Sequence, residues 1–472
     1  MSTGTIDRTA TQPYADSLAQ YVVETSADKF PEKVLRHAKL CLLDAIGVAL
    51  ASTKKPWSEA MLAMVREQGG AGRATIWGYG DRTSETNAAL TNALFVHSMD
   101  FNDDLAGIQV GGIMPPTAVA VGEVAGASGR DVLAAIAIGY DVATRAAMAL
   151  NSQDLYIQGF QPTAVAGVFA ATAVAGKLLR LSTVQLANAF GIAASFAGGT
   201  LEFLKEGTDT KRFHVAKAAL GGILSATLAK GGMTGPRTIF EGEYGMFHAY
   251  SKKPMPEALL EELGTRFDIL DTSFKFYPFC DGNAAPLEAA LALVRENKLS
   301  LDDVESIHFR IKSFLIPYAV NFGGDTERKY RPKNELDAQM SLPYCIAAGI
   351  EGGGIVRLTD FEPERLRDPR LHAIADKVTA EGDTELDKIP LRPMSMPAIC
   401  TIKTKDGRRL EKRVDYQKGD PRNPFTEDEL RAKFRDCASD LLSTQAASKL
   451  ENGIMALESM ANVRQLSPLL SG

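Results

Sequence analysis

The spacing of apolar residues predicts helices over most of the first half of the chain, from about Tyr14 to Gly232. Between Val34 and Ala49, apolar side chains recur at intervals of three and four residues, which indicates a helix with one buried face. Ser84 precedes the next apolar segment and is a suitable N-cap for a second buried helix. Helices rich in Ala and Gly that are apolar on all sides belong inside a large bundle.

The pattern changes after about Pro236. Residues 304–314 alternate between apolar and polar, as in a half-buried strand. Two further alternating runs flank Asp406 and Gly407, and an Asp-Gly pair between such runs predicts a β-hairpin. The spacing after about 425 is helical again, so the chain is expected to close with helices.

These patterns predict a mainly α protein with two domains. A large all-helical domain would comprise residues 10–271 together with 420–465, and a smaller α+β lid domain would comprise residues 272–418. A chain of 472 residues also exceeds the roughly 250–300 residues that a single core usually supports. The C-terminal helices are therefore expected to return to the first domain.

Composition and charge narrow the range of partners and compartments. The formal net charge of −6 argues against nucleic acid, because binding phosphates requires a basic face. The N-terminus has no apolar signal-peptide region, and the longest uninterrupted run of small and apolar residues, 164–176, is shorter than the roughly 20 residues of a membrane span. The five cysteines form no CxxC pair, which suits reduced thiols. A cytoplasmic protein without a membrane partner is expected.

A cluster of cationic residues, "TKRFHVAK", interrupts the apolar helical region. Asp209 or Thr210 can cap a helix that starts near Lys211, and Lys211 and His214 would then share one helix face. Free N–H groups, a lysine and a histidine at a helix N-terminus favour an anion site. Repulsion from Arg212 and Lys205 would lower the pKa of Lys211. The alternative is a solvated charged loop between two helices.

Other polar residues could carry chemistry, although each has a structural explanation too. Asp100, Asp103 and Asp104 follow a buried helix and could supply a general base, or they could end that helix and cap the next. They lack the regular ligand spacing and the fixing glycine of a calcium loop, so we expect no metal. Gln161 precedes a proline at a helix start. No dinucleotide or P-loop motif is present, so no organic cofactor is expected either.

Four segments occur in an order that resembles the MmgE/PrpD family: "HSMDFNDD", "GFQPTAVAG", "TKRFHVAK" and "KYRPKNELDAQMSLPY". That family includes 2-methylcitrate dehydratase, cis-aconitate decarboxylase and iminodisuccinate epimerase. The resemblance covers nearly the whole chain. It implies a large helical domain with an α+β lid, no metal or organic cofactor, and a homodimer.

The resemblance also implies roles for particular residues. By position in the family motifs, the residues implied as catalytic are Asp100, Lys211, Lys275 and Tyr330. The residues implied as substrate-binding are Asp104, Gln161, Arg212 and His214. The chain departs from the family at Met114 and Gln161, where relatives carry histidines, and at Asp104, where a threonine often occurs.

The chemistry expected from these residues is proton transfer next to a carboxylate. Its enolate-like transition state gathers negative charge on oxygen, so cations must be in place beforehand. Lys211 and Lys275 would approach from the two domains, one neutralising a carboxylate and the other, with a lowered pKa, moving the proton. Asp100 would orient a lysine or accept a substrate hydroxyl.

The sequence therefore predicts a cofactor-independent lyase, similar to a dehydratase or decarboxylase, that acts on a small di- or tricarboxylic acid. Two alternatives stay open at this point. One is an epimerase or isomerase of a dicarboxylate in the same family, and the other is a non-catalytic helical protein that binds carboxylates.

Overall fold

The computed structural model describes residues 12–321, 325–390 and 395–471. The fold is mainly α, as the sequence predicts. The helices of the first half are α1 (Tyr14–Glu24), α2 (Glu32–Ser52), α3 (Pro56–Gln68), α4 (Glu85–His97), α5 (Met114–Ala125), α6 (Gly129–Ala149), α7 (Ser152–Ile157), α8 (Pro162–Leu178), α9 (Thr183–Ala193), α10 (Glu202–Glu206), α11 (Thr210–Lys230) and α12 (Met246–Tyr250).

The second half combines helices with most of the strands. Its helices are α13 (Ala284–Glu296), α14 (Ile316–Ala319), α15 (Glu327–Tyr330), α16 (Glu335–Gln339), α17 (Leu342–Glu351), α18 (Pro369–Ala375), α19 (Thr384–Asp387), α20 (Glu427–Ala438) and α21 (Thr444–Met455). The strands of the chain are β1 (Ala74–Thr75), β2 (Arg82–Thr83), β3 (Val304–Ile311), β4 (Val378–Gly382), β5 (Ala398–Thr404) and β6 (Arg409–Val414).

One large hydrophobic cluster, called here the helical core, joins the first half of the chain to its C-terminal helices. Its buried residues run from Ala15 to Phe274 and resume from Leu430 to Leu470. Helix α8 lies at its centre against α6 and α11, and every residue of α8 except Lys177 is buried. Helix α20 packs on α2, so the last helices contact the first ones.

A second cluster, called here the α+β core, contains buried residues from Tyr277 to Ile402. Its sheet has the strand order β4-β3-β5-β6, with β3 parallel to β4 and antiparallel to β5. Helix α13 packs on β5 and β6. The predicted hairpin is confirmed, because β5 and β6 pair antiparallel around a turn in which Gly407 has a positive φ of 90°.

Several local predictions are confirmed as well. Helix α2 covers the periodic segment, and the Ser84 hydroxyl accepts a hydrogen bond from the backbone N–H of Asn87 at the start of α4. The prediction of an all-helical first region is wrong in one detail, because β1 and β2 form a small antiparallel pair there. The buried Glu123 carboxylate accepts hydrogen bonds from the Thr75 N–H and hydroxyl, both at 2.7 Å. A buried side chain thus stabilises strands too short to be read from periodicity.

Helix α6 is an exception to the expectation that no apolar segment is long enough to span a membrane. Within the described residues it is long and apolar enough, by length and composition alone, to cross a membrane. In the structure 94% of its most apolar window is buried, and α6 packs against α8 and α2.

The five cysteines are free thiols.

Candidate functional site

A cavity of about 100 Å³ lies where segments of the helical core meet segments around the α+β core. This volume holds several water molecules. Its charged and amide side chains come from distant parts of the sequence. They are Asp100, Asp104, Gln109, Gln161, Lys211, Lys275 and Asp281.

Asp100, Lys211 and Lys275 form a cluster, called here the charged group, with Asp100 at its centre. Its backbone has a positive φ of 50°, a conformation that Asp tolerates better than most residues with a side chain. Its Oδ1 atom accepts hydrogen bonds from Lys211 Nζ at 2.5 Å, from Gln109 Nε2 at 2.6 Å and from Lys275 Nζ at 3.1 Å. The Oδ2 atom is buried and has no hydrogen-bond partner among the described residues. One oxygen therefore binds both cations, while the other is left without a partner among the described residues.

The two lysines reach Asp100 from different elements. Lys211 lies in the first turn of α11, as the sequence predicts. Lys275 lies in the irregular segment before α13, and its Nζ also donates to the Asp100 backbone carbonyl at 3.0 Å. Asp104 and Ser273 exchange backbone hydrogen bonds of 2.8 Å in both directions. This bridge holds the segment of Lys275 beside the loop of Asp100.

The pKa values of this group shift in different directions. Burial opposes ionisation of Asp100, but Lys211 and Lys275 outweigh it and hold the pKa of that carboxyl well below its usual range. Burial lowers the pKa of Lys211; the attraction of Asp100 offsets this only in part, and Lys275 lowers the pKa slightly further. Burial acts in the same direction on Lys275, yet the carboxylates of Asp100, Asp104 and Asp281 raise its pKa.

The direction predicted for the Lys211 pKa is therefore right, but the predicted cause is wrong. Burial is the main cause, and the neighbouring cation is Lys275 rather than Arg212 or Lys205. The helix begins at Thr210 with Asp209 as its N-cap residue, yet the Asp209 side chain makes no capping hydrogen bond. Lys211 is only 5% exposed, so a loop of solvated charges does not describe this segment.

Two further carboxyl groups line the cavity. Burial raises the pKa of Asp104 well above its usual value, with Asp281 as the next contributor, and Asp104 Oδ1 has no hydrogen-bond partner in the described part of the chain. Burial raises the pKa of Asp281 to about 6, and its Oδ2 accepts a hydrogen bond from Gln417 Nε2 at 2.8 Å. Burial therefore favours the protonated form of both groups more than in an exposed aspartate.

Gln161 and His214 form a pair at the edge of the cavity. His214 Nδ1 lies 2.9 Å from Gln161 Oε1, and an amide oxygen only accepts, so Nδ1 carries the hydrogen. Burial lowers the pKa of His214 to about 4, with a smaller contribution from Lys217. Gln161 itself lines the cavity. The neutral imidazole thus orients an amide that can donate a hydrogen bond into the cavity.

Besides Asp103 and His214, three residues singled out in the sequence do not line the cavity. The Arg212 guanidinium donates to the Ser98 carbonyl at 2.9 Å and to Asp209 at 2.7 Å and stacks on Trp57. The Tyr330 hydroxyl donates to the Val378 carbonyl at 2.7 Å, in contrast to the role implied by the family motif. Tertiary packing, which no sequence motif encodes, directs both side chains elsewhere.

Met114 is the third of these residues. It is fully buried and packs against Gly139 of α6, where an added Cβ would lie 2.6 Å from its sulfur. The replacement of a histidine at this position therefore affects the helical core rather than the cavity lining, whereas the replacement at Gln161 affects the lining directly.

Sequence reasoning missed several residues of the site. Gln109 and Asp281 line the cavity, but an isolated Gln and an Asp before a glycine carry no distinctive signal. Cys280 lines it as well, and burial raises the pKa of its thiol. No cluster of three or more His, Cys, Asp or Glu side chains that could hold a metal ion occurs among the described residues.

Lys433 of α20 was also missed, because it resembles an ordinary lysine of an amphipathic helix. Its Nζ donates to the carbonyls of Phe101 at 2.8 Å and Lys275 at 2.9 Å, and it lies 2.7 Å from Asp44 Oδ1. Lys433 therefore links the backbone of the segment that carries Asp100 to the backbone of the segment that carries Lys275.

The fold and the site together define a mainly helical protein whose buried cavity holds a carboxylate shared by two lysines. The chain belongs to the MmgE/PrpD family. The family's N-terminal domain matches residues 16–259 and its C-terminal domain matches residues 277–458.

Curated relatives match over nearly their full length. The chain is 30% identical to the cis-aconitate decarboxylase-like protein oryM of Aspergillus oryzae, over 96% of each chain. It is 25% identical to the cis-aconitate decarboxylase of Aspergillus terreus, over 100% of this chain and 98% of that one. It is 27% identical to the cis-aconitate decarboxylase of Mus musculus, over 97% and 93%. The family and these relatives support an enzyme, of the lyase type that includes dehydratases and decarboxylases.

Proposed function

We propose that this protein is a cofactor-independent lyase that acts on a small di- or tricarboxylic acid by moving a proton at the carbon next to a carboxylate. The observation that carries the proposal is the sharing of Asp100 Oδ1 by Lys211 and Lys275 inside a buried cavity. The names of the relatives, which are decarboxylases of an unsaturated tricarboxylic acid, agree with this substrate class.

The charge arrangement suits the transition state of such a reaction. Removal of a carboxylate group, or of a proton next to one, leaves negative charge on an enolate-like oxygen. Fixed cations stabilise that charge without reorganising during the reaction. Asp100 bonds to both ammonium groups, and Lys275, whose pKa is raised, stays charged to attract a substrate carboxylate.

The opposite pKa shifts of the two lysines suggest different roles for them. Lys211, whose pKa is lowered, is the better candidate for giving and taking a proton near neutral pH. Lys275, whose pKa is raised, would stay charged and hold a substrate carboxylate. Asp100, with its depressed pKa, is a poor base and would act as the anchor for both lysines.

Asp104 would bind the substrate as a neutral acid. Its raised pKa favours the protonated form, and a carboxylic acid kept neutral donates a hydrogen bond. Gln161, oriented by His214, would donate a second hydrogen bond in the place of a family histidine. An amide can orient a carboxylate, but it cannot exchange a proton at neutral pH.

A screen of di- and tricarboxylic acids by NMR in D₂O tests the proposal. Exchange of hydrogen next to a carboxylate together with loss of water or CO₂ is the expected result. Exchange with inversion and no elimination would instead identify an epimerase or isomerase. Binding of acids without any exchange would identify a carboxylate-binding protein and overturn the proposed reaction.

Treatment with a chelator tests whether the reaction proceeds without a metal cofactor. Activity should be unchanged after treatment with EDTA, because the cations of the cavity are lysine side chains. Loss of activity that one divalent ion restores would contradict the cofactor-independent mechanism.

A further inference from the structure

The cavity lining contains two chemically different sets of residues, called here its charged end and its apolar end. The charged group around Asp100 forms one end. The rest of the lining is largely apolar and comes from both parts of the chain: Leu201, Phe203, Leu204, Phe314, Leu315 and Met340. Apolar groups of a ligand suit such a surface better than carboxylates do, because desolvated carboxylates need polar partners.

Most of the apolar end belongs to a separate packed cluster, called here the third cluster. Its buried members are Leu201, Phe203, Leu204, Leu336 and Met340, all less than 9% exposed. These residues pack against one another between the helical core and the α+β core, so their positions are constrained. The apolar end is therefore a fixed surface, and binding apolar groups against it requires little ordering.

Two tyrosines extend this apolar surface. The Tyr156 and Tyr318 rings lie 5.9 Å apart, and both residues line the cavity. The Tyr318 hydroxyl donates to the Tyr156 backbone carbonyl at 3.1 Å. The rings thus add aromatic area beside the third cluster, where an alkyl or aryl group would pack well.

The charges at the other end match a single carboxylate best. In the described part of the lining the cations are Lys211 and Lys275, and three aspartates, Asp100, Asp104 and Asp281, line the cavity beside them. A second carboxylate of the substrate would depend on hydrogen bonds from groups such as Gln161. A further carboxylate placed at the third cluster would lose its hydration without gaining a cation.

We infer that the substrate carries an apolar alkyl or aryl arm that lies against Leu201, Leu204 and Met340 while its carboxylate end is held at Lys211 and Lys275. This inference rests on the proposed function for the reaction at the charged end, and it narrows the substrate class to acids with an apolar substituent. The arm is recognised by burial, so affinity should rise with its length.

Binding of a series of acids measures this dependence directly. Succinate, butylsuccinate, hexylsuccinate and tricarballylate are titrated by calorimetry, and their exchange in D₂O is followed by NMR. Each added methylene that reaches the third cluster should tighten binding by about fourfold. Butylsuccinate should bind at least about tenfold more tightly than tricarballylate, whose third carboxylate would lose its hydration at the apolar end.

The outcomes separate this inference from the proposed function. Tighter binding with arm length, but no exchange with any acid, would support the inference and overturn the proposed reaction. Turnover of tricarboxylates with tricarballylate bound more tightly than the alkyl acids would overturn the inference alone. Binding that ignores arm length, or no binding by any acid of the series, would also overturn it.

A pair of matched variants locates the arm. Leu204 and Leu336 both belong to the third cluster, but only Leu204 lines the cavity. Leu204→Ala should weaken hexylsuccinate by about tenfold and leave succinate within about twofold, whereas Leu336→Ala should affect both acids equally. An equal effect of Leu204→Ala on both acids would contradict the placement.

A third variant keeps the test decisive if the alanine variants are poorly folded. Leu201→Lys introduces a cation into the apolar end, and it should reverse the preference so that tricarballylate binds more tightly than butylsuccinate. Thermal melts accompany each titration. An unchanged preference in folded Leu201→Lys protein would overturn the inference.

Discussion

The two segments that supply the lysines of the cavity differ in almost every structural respect. Lys211 lies on a regular helix, α11, of 21 residues, whereas Lys275 lies on an irregular segment held by contacts with distant residues. Those contacts are the backbone bridge between Ser273 and Asp104 and the hydrogen bond from Lys433 to the Lys275 carbonyl. Local sequence positions the first lysine, and tertiary structure positions the second.

The same two lysines also show how neighbours decide the charge of a buried group. Both are nearly inaccessible, at 5% and 2% exposure, and both bind the same oxygen. Burial lowers the pKa of Lys211, because Asp100 alone does not offset it, whereas Asp100 and two further aspartates outweigh burial and raise the pKa of Lys275. Burial alone therefore does not assign a role to either residue.

The largest effect should come from removing the carboxylate that both lysines share. Asp100→Asn leaves two buried ammonium groups without their anion, so kcat/KM should fall by about 10³-fold or more. Asp103→Asn is the matched control, because Asp103 lies in the same loop and binds Gly111 N at 2.7 Å rather than the lysines. Steady-state kinetics of both variants are the measurement. An equal fall in kcat/KM for both would contradict the proposal that Asp100 anchors the two lysines.

Substitution of the lysines should distinguish their roles. Lys211→Ala should lower kcat/KM by about 10²–10³-fold, and Lys211→Arg should not restore activity because arginine does not release its proton near neutral pH. Lys275→Arg should retain activity within about tenfold, since a fixed charge suffices there. The pH profiles of kcat/KM for both arginine variants are the measurement. Full activity of Lys211→Arg would exclude proton transfer by Lys211.

A smaller effect is expected from loosening the irregular segment. Lys433→Met combined with Asp44→Asn removes both partners of a buried ion pair, which avoids leaving one charge alone. The carbonyls of Phe101 and Lys275 then lose their common donor, and kcat should fall by about tenfold through misplacement of the catalytic groups. Thermal melting serves as the control for folding. Unchanged kcat would show that the backbone bridge to Asp104 positions Lys275 without help.

The smallest effect concerns stability rather than turnover. Burial raises the pKa of Asp103 to about 7, against a value of roughly 4 in an unfolded chain. Between these pH values the folded protein binds more protons than the unfolded one, so this group lowers stability as pH rises from about 4 to 7. Asp103→Asn cannot titrate, so its melting temperature relative to wild type should increase between pH 5 and pH 8. A difference that stays constant would mean that Asp103 is ionised throughout.

Part of the site could be predicted because it rests on short-range patterns. The helix at Lys211, the hairpin at Gly407 and the cap at Ser84 each depend on a few neighbouring residues. Asp100, Lys211, Lys275, Asp104 and Gln161 also reach the cavity lining as expected. Gln109 and Lys433 could not be found in this way, because their importance comes from partners far away in the chain.

The sequence by itself determined the class of fold, the periodic helices, the hairpin and the helix that carries Lys211. These features follow from side-chain spacing and turn chemistry, which act over a few residues. Only the tertiary structure decided which of those residues meet. It turned Arg212 toward Ser98 and Tyr330 toward Val378, and it brought an apolar cluster into the same cavity as the lysines. The physical reason is that burial, desolvation and the sharing of one carboxylate depend on distances between remote segments, which local patterns do not specify.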